Sequence, residues 1–217
     1  MTQLTHMGHR VTSYTGDWIP AISPSGSREP AHRSFSRVAE AADLARIAAE
    51  FAQTALRCKA GGLDGVELSA YSGHLLAEFL SPRYNHRADE YGGATRARWR
   101  FLLETVEAVA DTVGKAKVGV RISPLGTAHE MQFDPAPLFA YGYLACQLDR
   151  LGIGYLHVYD QSGSWMRDPQ SDLLQHLRAC FSQTLILCGG FDRERAEAAL
   201  RADCGDLIAF GKHFIAN

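Results

Sequence analysis

Residues 61–93 read GGLDGVELSAYSGHLLAEFLSPRYNHRADEYGG. Val66, Leu68 and Ala70 alternate with Glu67 and Ser69, which predicts a buried strand, and Gly61-Gly62 stops the helix before it. The chain then turns at Ser72-Gly73, enters a short apolar segment with Leu75, Leu76, Phe79 and Leu80, and breaks at Ser81-Pro82. From Arg83 to Tyr91 it is dense in polar and aromatic side chains, with more hydrogen-bonding groups than a solvated turn needs. Loops after parallel strands are where α/β proteins place their chemistry.

Working outward, Val38 to Lys59 carries apolar residues at Leu44, Ile47, Ala48, Phe51, Ala55 and Leu56, a helical spacing that feeds the central strand. Before it, Val11 to Ser36 is rich in Ser, Pro, Gly and Arg and reads as a long functional loop, and Thr2 to His6 as a short strand. After it, helices are predicted over Arg96–Val113, Asp134–Leu151, Asp172–Phe181 and Asp192–Arg201. They alternate with strands over Lys117–Ile122, Gly154–Tyr159, Thr184–Cys188 and Asp206–Phe210. Asp134 reads as an N-cap with Pro135 in the first turn, and Asp192 as a second cap. Six strands alternating with helices give an α/β class with parallel strands.

An open doubly wound sheet and a (β/α)₈ TIM barrel both fit that alternation. No G-x-G-x-x-G follows a strand, which lowers the first. The last two strands end in Cys188-Gly189-Gly190 and Phe210-Gly211-Lys212, which favours the second. Phosphate sites of such barrels are built from the loops after strands seven and eight. Glycines there let backbone N–H groups approach a phosphate, and Lys212 adds a charge. Counted back from those ends, the first strand is the third of eight, so residues 1–217 read as a single partial barrel domain lacking two βα units.

Composition bounds the partners. The hydrophobic fraction is 46% and the charged fraction 21%, ordinary for a globular protein. A net charge of −2 supplies no attraction for nucleic acid or an anionic membrane. No apolar run reaches the ~18–20 residues of a membrane helix. Cys58, Cys146, Cys180, Cys188 and Cys204 are scattered without C-x-x-C spacing, which points to reduced thiols and a cytoplasmic location and away from a metal site.

The run FLSPRYNHRADEYGG (residues 79–93) resembles the segment of old yellow enzyme-type, FMN-dependent oxidoreductases that reads FLSP, two variable residues, N, x, R, x, DEYGG. QLTHMGHR (residues 3–10) resembles the family's third-strand segment, Q-L-x-H-x-G-R. The resemblance spans the chain but only strands three to eight of the family domain, and implies a chain truncated at both ends. It implies that Gln3 hydrogen-bonds the flavin pyrimidine, since an amide offers both donor and acceptor. It also implies that Arg121, from G-V-R-x-S-P, stabilises negative charge on the reduced ring. The competing reading of Arg121 is a strand-end arginine paired with a neighbouring carboxylate. The family's phosphate-binding positions fall on Gly189, Gly190 and Gly211, with Lys212 where the family has arginine, a loss of the bidentate fork.

The substrate side departs from the family pattern. Where many members carry H-x-x-N and then Tyr, this chain has Ser69, Ser72 and His74. Serine hydroxyls are shorter and weaker donors to a substrate carbonyl. His74 reads either as an acid near neutral pH or as a polar residue over the barrel mouth. Set against the family pattern, the segment suggests a branch that does not use enone reduction, for example one oxidising N-methylated amines, and the substrate class stays open between an enone and an N-methylated amine. The Asn85-x-Arg87-x-Asp89-Glu90-Tyr91 run reads as scaffolding, with Arg98 and Arg100 as partners for Asp89 or Glu90.

The expected activity is an FMN-dependent oxidoreductase that passes electrons between NAD(P)H, FMN and a small organic substrate. The alternatives are a non-catalytic remnant of the barrel and a phosphate-ligand-binding barrel without flavin. Open sheet edges would invite a second copy or a complementing chain.

Overall fold

The computed structural model describes residues 1–11, 20–27, 35–71, 73–132, 134–163, 166 and 171–215, with the side chains of Lys212 and His213 outside that description. In chain order the elements are β1 (Thr2–Leu4), β2 (Ala21–Ser23), β3 (Ser36–Val38), α1 (Ala41–Ala60), β4 (Val66–Ala70), α2 (Leu75–Leu80), α3 (Thr95–Arg98), α4 (Arg100–Val113) and β5 (Val118–Ile122). There follow α5 (Pro137–Leu151), β6 (Tyr155–Tyr159), α6 (Asp172–Cys180), β7 (Thr184–Cys188), α7 (Arg193–Arg201), β8 (Leu207–Ala209) and α8 (Lys212–Ile215).

Six strands form one parallel sheet in the order β1-β4-β5-β6-β7-β8, and β2 pairs with β3 apart from it. Each strand of the large sheet lies beside the next along the chain, so the winding never reverses. A doubly wound sheet requires a switch point where it does. The architecture is therefore a six-stranded arc of a (β/α)₈ barrel, incomplete as a barrel.

Strand periodicity sorts the side chains. Leu156, Val158, Leu185 and Leu187 are fully buried under the helices. Their neighbours Tyr155, His157 and Tyr159 are partly exposed and belong to the other face. The core lies between the sheet and helices such as α1 and α4, through Leu44, Ile47, Leu102, Val106 and Val109. Each such side chain contributes about 1.5–3 kcal/mol by leaving water.

Three local expectations change. The predicted first helix begins at Ala41, because Ser36–Val38 forms β3. Arg37 then forks onto Asp43 at 2.5 and 2.6 Å, while Asp43 accepts the Glu40 N–H at 3.0 Å and closes a capping box. The serine-rich stretch contains β2 and β3, tied by Ser36 Oγ donating to Ser23 Oγ at 2.8 Å; residues 12–19 and 28–34, with Asp17-Trp18 and Arg28-Glu29-Pro30, lie outside the described residues. Asp134 does not cap α5, which starts at Pro137 after Ala136. Its carboxylate instead pairs with Arg98 and accepts from Thr95 Oγ1 at 3.0 Å and from the Ala136 N–H at 2.9 Å.

Candidate active site at the carboxyl ends of the strands

Arg121 sits near the end of β5, in register with Ser69 of β4 and His157 of β6. Its guanidinium packs against two mutually perpendicular aromatic rings, 4.4 Å from the centre of Tyr71 and 4.8 Å from that of Tyr159. Such stacking orients a guanidinium without consuming its N–H groups. Its Nη2 approaches the Cys188 sulfur at 3.9 Å, and its buried Nε has no partner among the described residues. No carboxylate pairs with it among the described residues, so the geometry does not give the ordinary strand-end ion pair.

Below Arg121 the interior is polar. Gln3 Nε2 donates to Glu67 Oε1 at 2.6 Å, and His157 Nδ1 meets Glu67 Oε2 at 2.9 Å. The Tyr155 hydroxyl also faces Glu67 and adds to the stabilisation of its carboxylate. Burial by itself raises the pKa of Glu67, but the His157 contact, with Gln3 and Tyr155, outweighs it and holds the carboxyl below its ordinary value. His157 Nε2 is buried without a partner among the described residues.

On the other side of Arg121, buried Ser69 Oγ and His74 Nδ1 are 2.6 Å apart. The His74 ring meets Tyr71 edge-on at 5.2 Å between centres, and Tyr71 meets Tyr159 at 5.8 Å. Burial, then the charges of Arg10, His129 and Arg121, lowers the His74 pKa to about 4. The ring is therefore neutral at pH 7, which departs from the expectation of an acid poised near neutrality. Ser72 lies outside the described residues.

A cavity of about 580 Å³ joins Arg121, Tyr159 and Cys188 to Gly189, Gly190 and Gly211. Gly189 (φ 118°) has no room for a Cβ, which would stand 2.2 Å from the Asp160 carbonyl. These glycines let the β7 turn close on the β6 turn, where Asp160 accepts from Ser162 Oγ, the Gly163 N–H and the Met166 N–H at 2.7–3.1 Å. At Gly211 a Cβ would meet nothing within 4 Å, so its backbone is open. Lys212 begins α8 directly after it. Arg195, also on this cavity, is held by Asp192, which caps α7 through the Arg195 N–H at 2.9 Å.

The fold thus brings Gln3, Ser69, His74 and Arg121 into one continuous cluster, with Gly189, Gly190 and Gly211 across the cavity from Arg121. Sequence reasoning missed Glu67, Tyr71, His157 and Tyr159. Their signal was polar and aromatic residues at every second position of strands whose other face is aliphatic.

The signature loop has another job. Asn85 Nδ2 donates to the Phe79 and Tyr91 carbonyls at 2.8 and 2.7 Å. Arg87 donates to the Pro24 and Ala39 carbonyls at 2.8 and 2.5 Å and pairs with Asp89. The expected partners of Asp89 and Glu90 are used elsewhere: Arg98 is taken by Asp134 and Arg100 by Glu104.

Comparison with known proteins agrees with this architecture. A putative 12-oxophytodienoate reductase 11 of Oryza sativa subsp. japonica is 32% identical over 99% of this chain and 62% of its own length. The N,N-dimethylglycine/sarcosine dehydrogenase of Chromohalobacter salexigens is 43% identical over 70% of this chain and 22% of its own. The solved structure of morphinone reductase in complex with tetrahydroNAD superposes with a TM-score of 0.92 at 32% identity, covering 99% of this chain and 62% of that one. The chain therefore spans less than two thirds of these relatives. No helix among the described residues is long and apolar enough to cross a membrane. A model of the NADH:flavin oxidoreductase / NADH oxidase family matches residues 1–217, and the chain belongs to that family of old yellow enzyme homologues.

Proposed function

We propose that the chain binds FMN at the carboxyl ends of its strands and takes part in an old yellow enzyme-type oxidation–reduction, with a small N-methylated amine or an enone as substrate and NAD(P)H as the electron donor for the enone. The observation that carries this reading is Arg121. It is a cation packed against two tyrosines, with a buried Nε that has no partner among the described residues, in a cavity that runs to Gly189, Gly190 and Gly211. A fixed cation facing a cavity with open glycine backbone at its far end fits a ligand that carries a phosphate and develops negative charge on a ring.

Within that reading Gln3 and Arg121 hold the ring, and the backbone at Gly189, Gly190 and Gly211, with Lys212, holds the phosphate. FMN when bound supplies a carrier that accepts and returns a hydride. Ser69 and His74, and by the family pattern Ser72, are assigned to the substrate side. At pH 7 the His74 imidazole is neutral, so it accepts or donates a hydrogen bond without carrying charge. A neutral imidazole can accept from an ammonium N–H or donate to an enone oxygen, so His74 is compatible with either class. The likeness to a dimethylglycine/sarcosine dehydrogenase favours the amine.

The test is a visible absorption spectrum of the purified chain, before and after mixing with FMN and desalting. A retained flavin band supports the proposal and leads to turnover assays with N-methylated amines, and with NAD(P)H plus enones. A folded chain that retains none favours a non-catalytic remnant.

A further inference from the structure

We propose that Glu67 is a positioning residue that fixes the side-chain amide of Gln3 with its nitrogen inward and its carbonyl oxygen offered to a ligand. The natural ligand, though not the amide orientation itself, rests on the flavin reading above. Gln3, Glu67, Gly119 and Tyr155 stand side by side in register across β1, β4, β5 and β6. An amide is nearly symmetric in shape, so packing alone does not choose between its two orientations. A carboxylate does choose, because it only accepts hydrogen bonds.

Glu67 is committed to that ionised form. It is buried, and donors from β1 and β6 converge on it: Gln3 Nε2 at 2.6 Å and His157 Nδ1 at 2.9 Å, with the Tyr155 hydroxyl beside them. Flipping Gln3 would set its carbonyl oxygen against a carboxylate oxygen and leave that lone pair unsatisfied. Gly119 belongs to the same device. A Cβ there would lie 2.1 Å from Tyr155 Cζ, so only glycine lets the ring cross β5 toward Glu67. Burying a carboxylate beneath three donors is a costly way to gain stability alone, since apolar replacements of buried ion pairs are often neutral or better. What the arrangement does supply is direction. Gln3 is itself exposed, so its carbonyl is open to solvent or ligand. The ligand class it selects carries an imide-type N–H, the group at one edge of a flavin ring.

The experiment uses the full chain in two measurements. In ¹³C,¹⁵N-labelled protein without ligand, a scalar coupling across the hydrogen bond between Gln3 Nε2 and Glu67 Cδ is expected, and its absence overturns the proposal. In fluorescence titrations with FMN and 3-methyl-FMN, the wild type should prefer FMN by about ten- to a hundredfold. Glu67→Gln, whose amide accommodates either orientation of Gln3, should narrow that preference to about threefold or less. A preference equal in both proteins overturns the proposal, because a merely structural glutamate would lower both affinities together. Should the wild type bind neither flavin, the flavin reading falls by itself, and the coupling still decides whether Glu67 fixes Gln3. The coupling also decides it if Glu67→Gln does not fold.

Discussion

The loop from Ser81 to Gly93 and the ends of strands β4 to β6 are both rich in polar side chains, yet they treat them in opposite ways. In the loop, Asn85 uses both its amide nitrogen and its oxygen, and the Arg87 guanidinium reaches two carbonyls and Asp89. Arg98, just beyond, reaches the Leu80 and Gly93 carbonyls and Asp134. At the strand ends, Arg121 Nε and His157 Nε2 are buried with no partner among the described residues. A buried polar group without a partner costs free energy that a fold has no reason to spend on itself. Among the described residues, orphaned buried atoms also occur on His9, Glu78 and Ser123, so the proposed ligand site rests on Arg121, which combines an orphaned Nε with a place on the cavity wall. The most recognisable motif of the chain falls on the scaffold side.

The largest test of that contrast is Arg98→Ala. It removes a largely buried guanidinium and strands Asp134, and should cost about 3–5 kcal/mol of stability in urea unfolding. A loss below about 1 kcal/mol would mean the loop does not hold the fold. Arg121→Ala should do the reverse, lowering FMN affinity by roughly 1.4–2.8 kcal/mol, or about ten- to a hundredfold, in a flavin-fluorescence titration. Unchanged affinity, or a loss of stability as large as that of Arg98→Ala, would erase the distinction between the two regions.

A smaller effect is read by pH. Because burial holds the folded His74 pKa near 4 against an ordinary 6.5, the unfolded chain binds more protons between those values. Stability should rise with pH across that window and be lost as pH falls through it. His74→Phe should remove that part of the slope, and an NMR titration of His74 with a midpoint near 6.5 would contradict the burial argument. The smallest effect expected is for Tyr71→Leu, which takes away one face of the Arg121 clamp and should weaken FMN binding by about 0.5–1 kcal/mol. If Tyr71→Leu matched Arg121→Ala, the clamp rather than the charge would be the binding element.

Much of this was legible in the chain as text. The alternation of period-two and helical stretches places the six strands of the large sheet within a residue or two, since apolar spacing records which face is buried. Phe210-Gly211 and Cys188-Gly189-Gly190 can be recognised as strand ends because glycine marks where backbones approach closely. The errors fall where a side chain could choose among partners. Asp134 has the composition of a helix cap, but Arg98, 36 residues away in sequence, takes its carboxylate. Val38 continues an apolar pattern, but β3 claims it through pairing with β2.

The sequence by itself determined the class of fold, the positions of the six strands of the large sheet and the family, because periodicity and motif spacing are local properties. Only the tertiary structure decided what the residues of the candidate site do to one another. It showed Arg121 held by aromatic faces with no carboxylate partner among the described residues, His74 kept neutral by burial beside Arg10, His129 and Arg121, and Glu67 gathering partners from β1 and β6. Burial, partner choice and the electrostatics that follow depend on neighbours brought together across the sheet, and no stretch of the chain contains them.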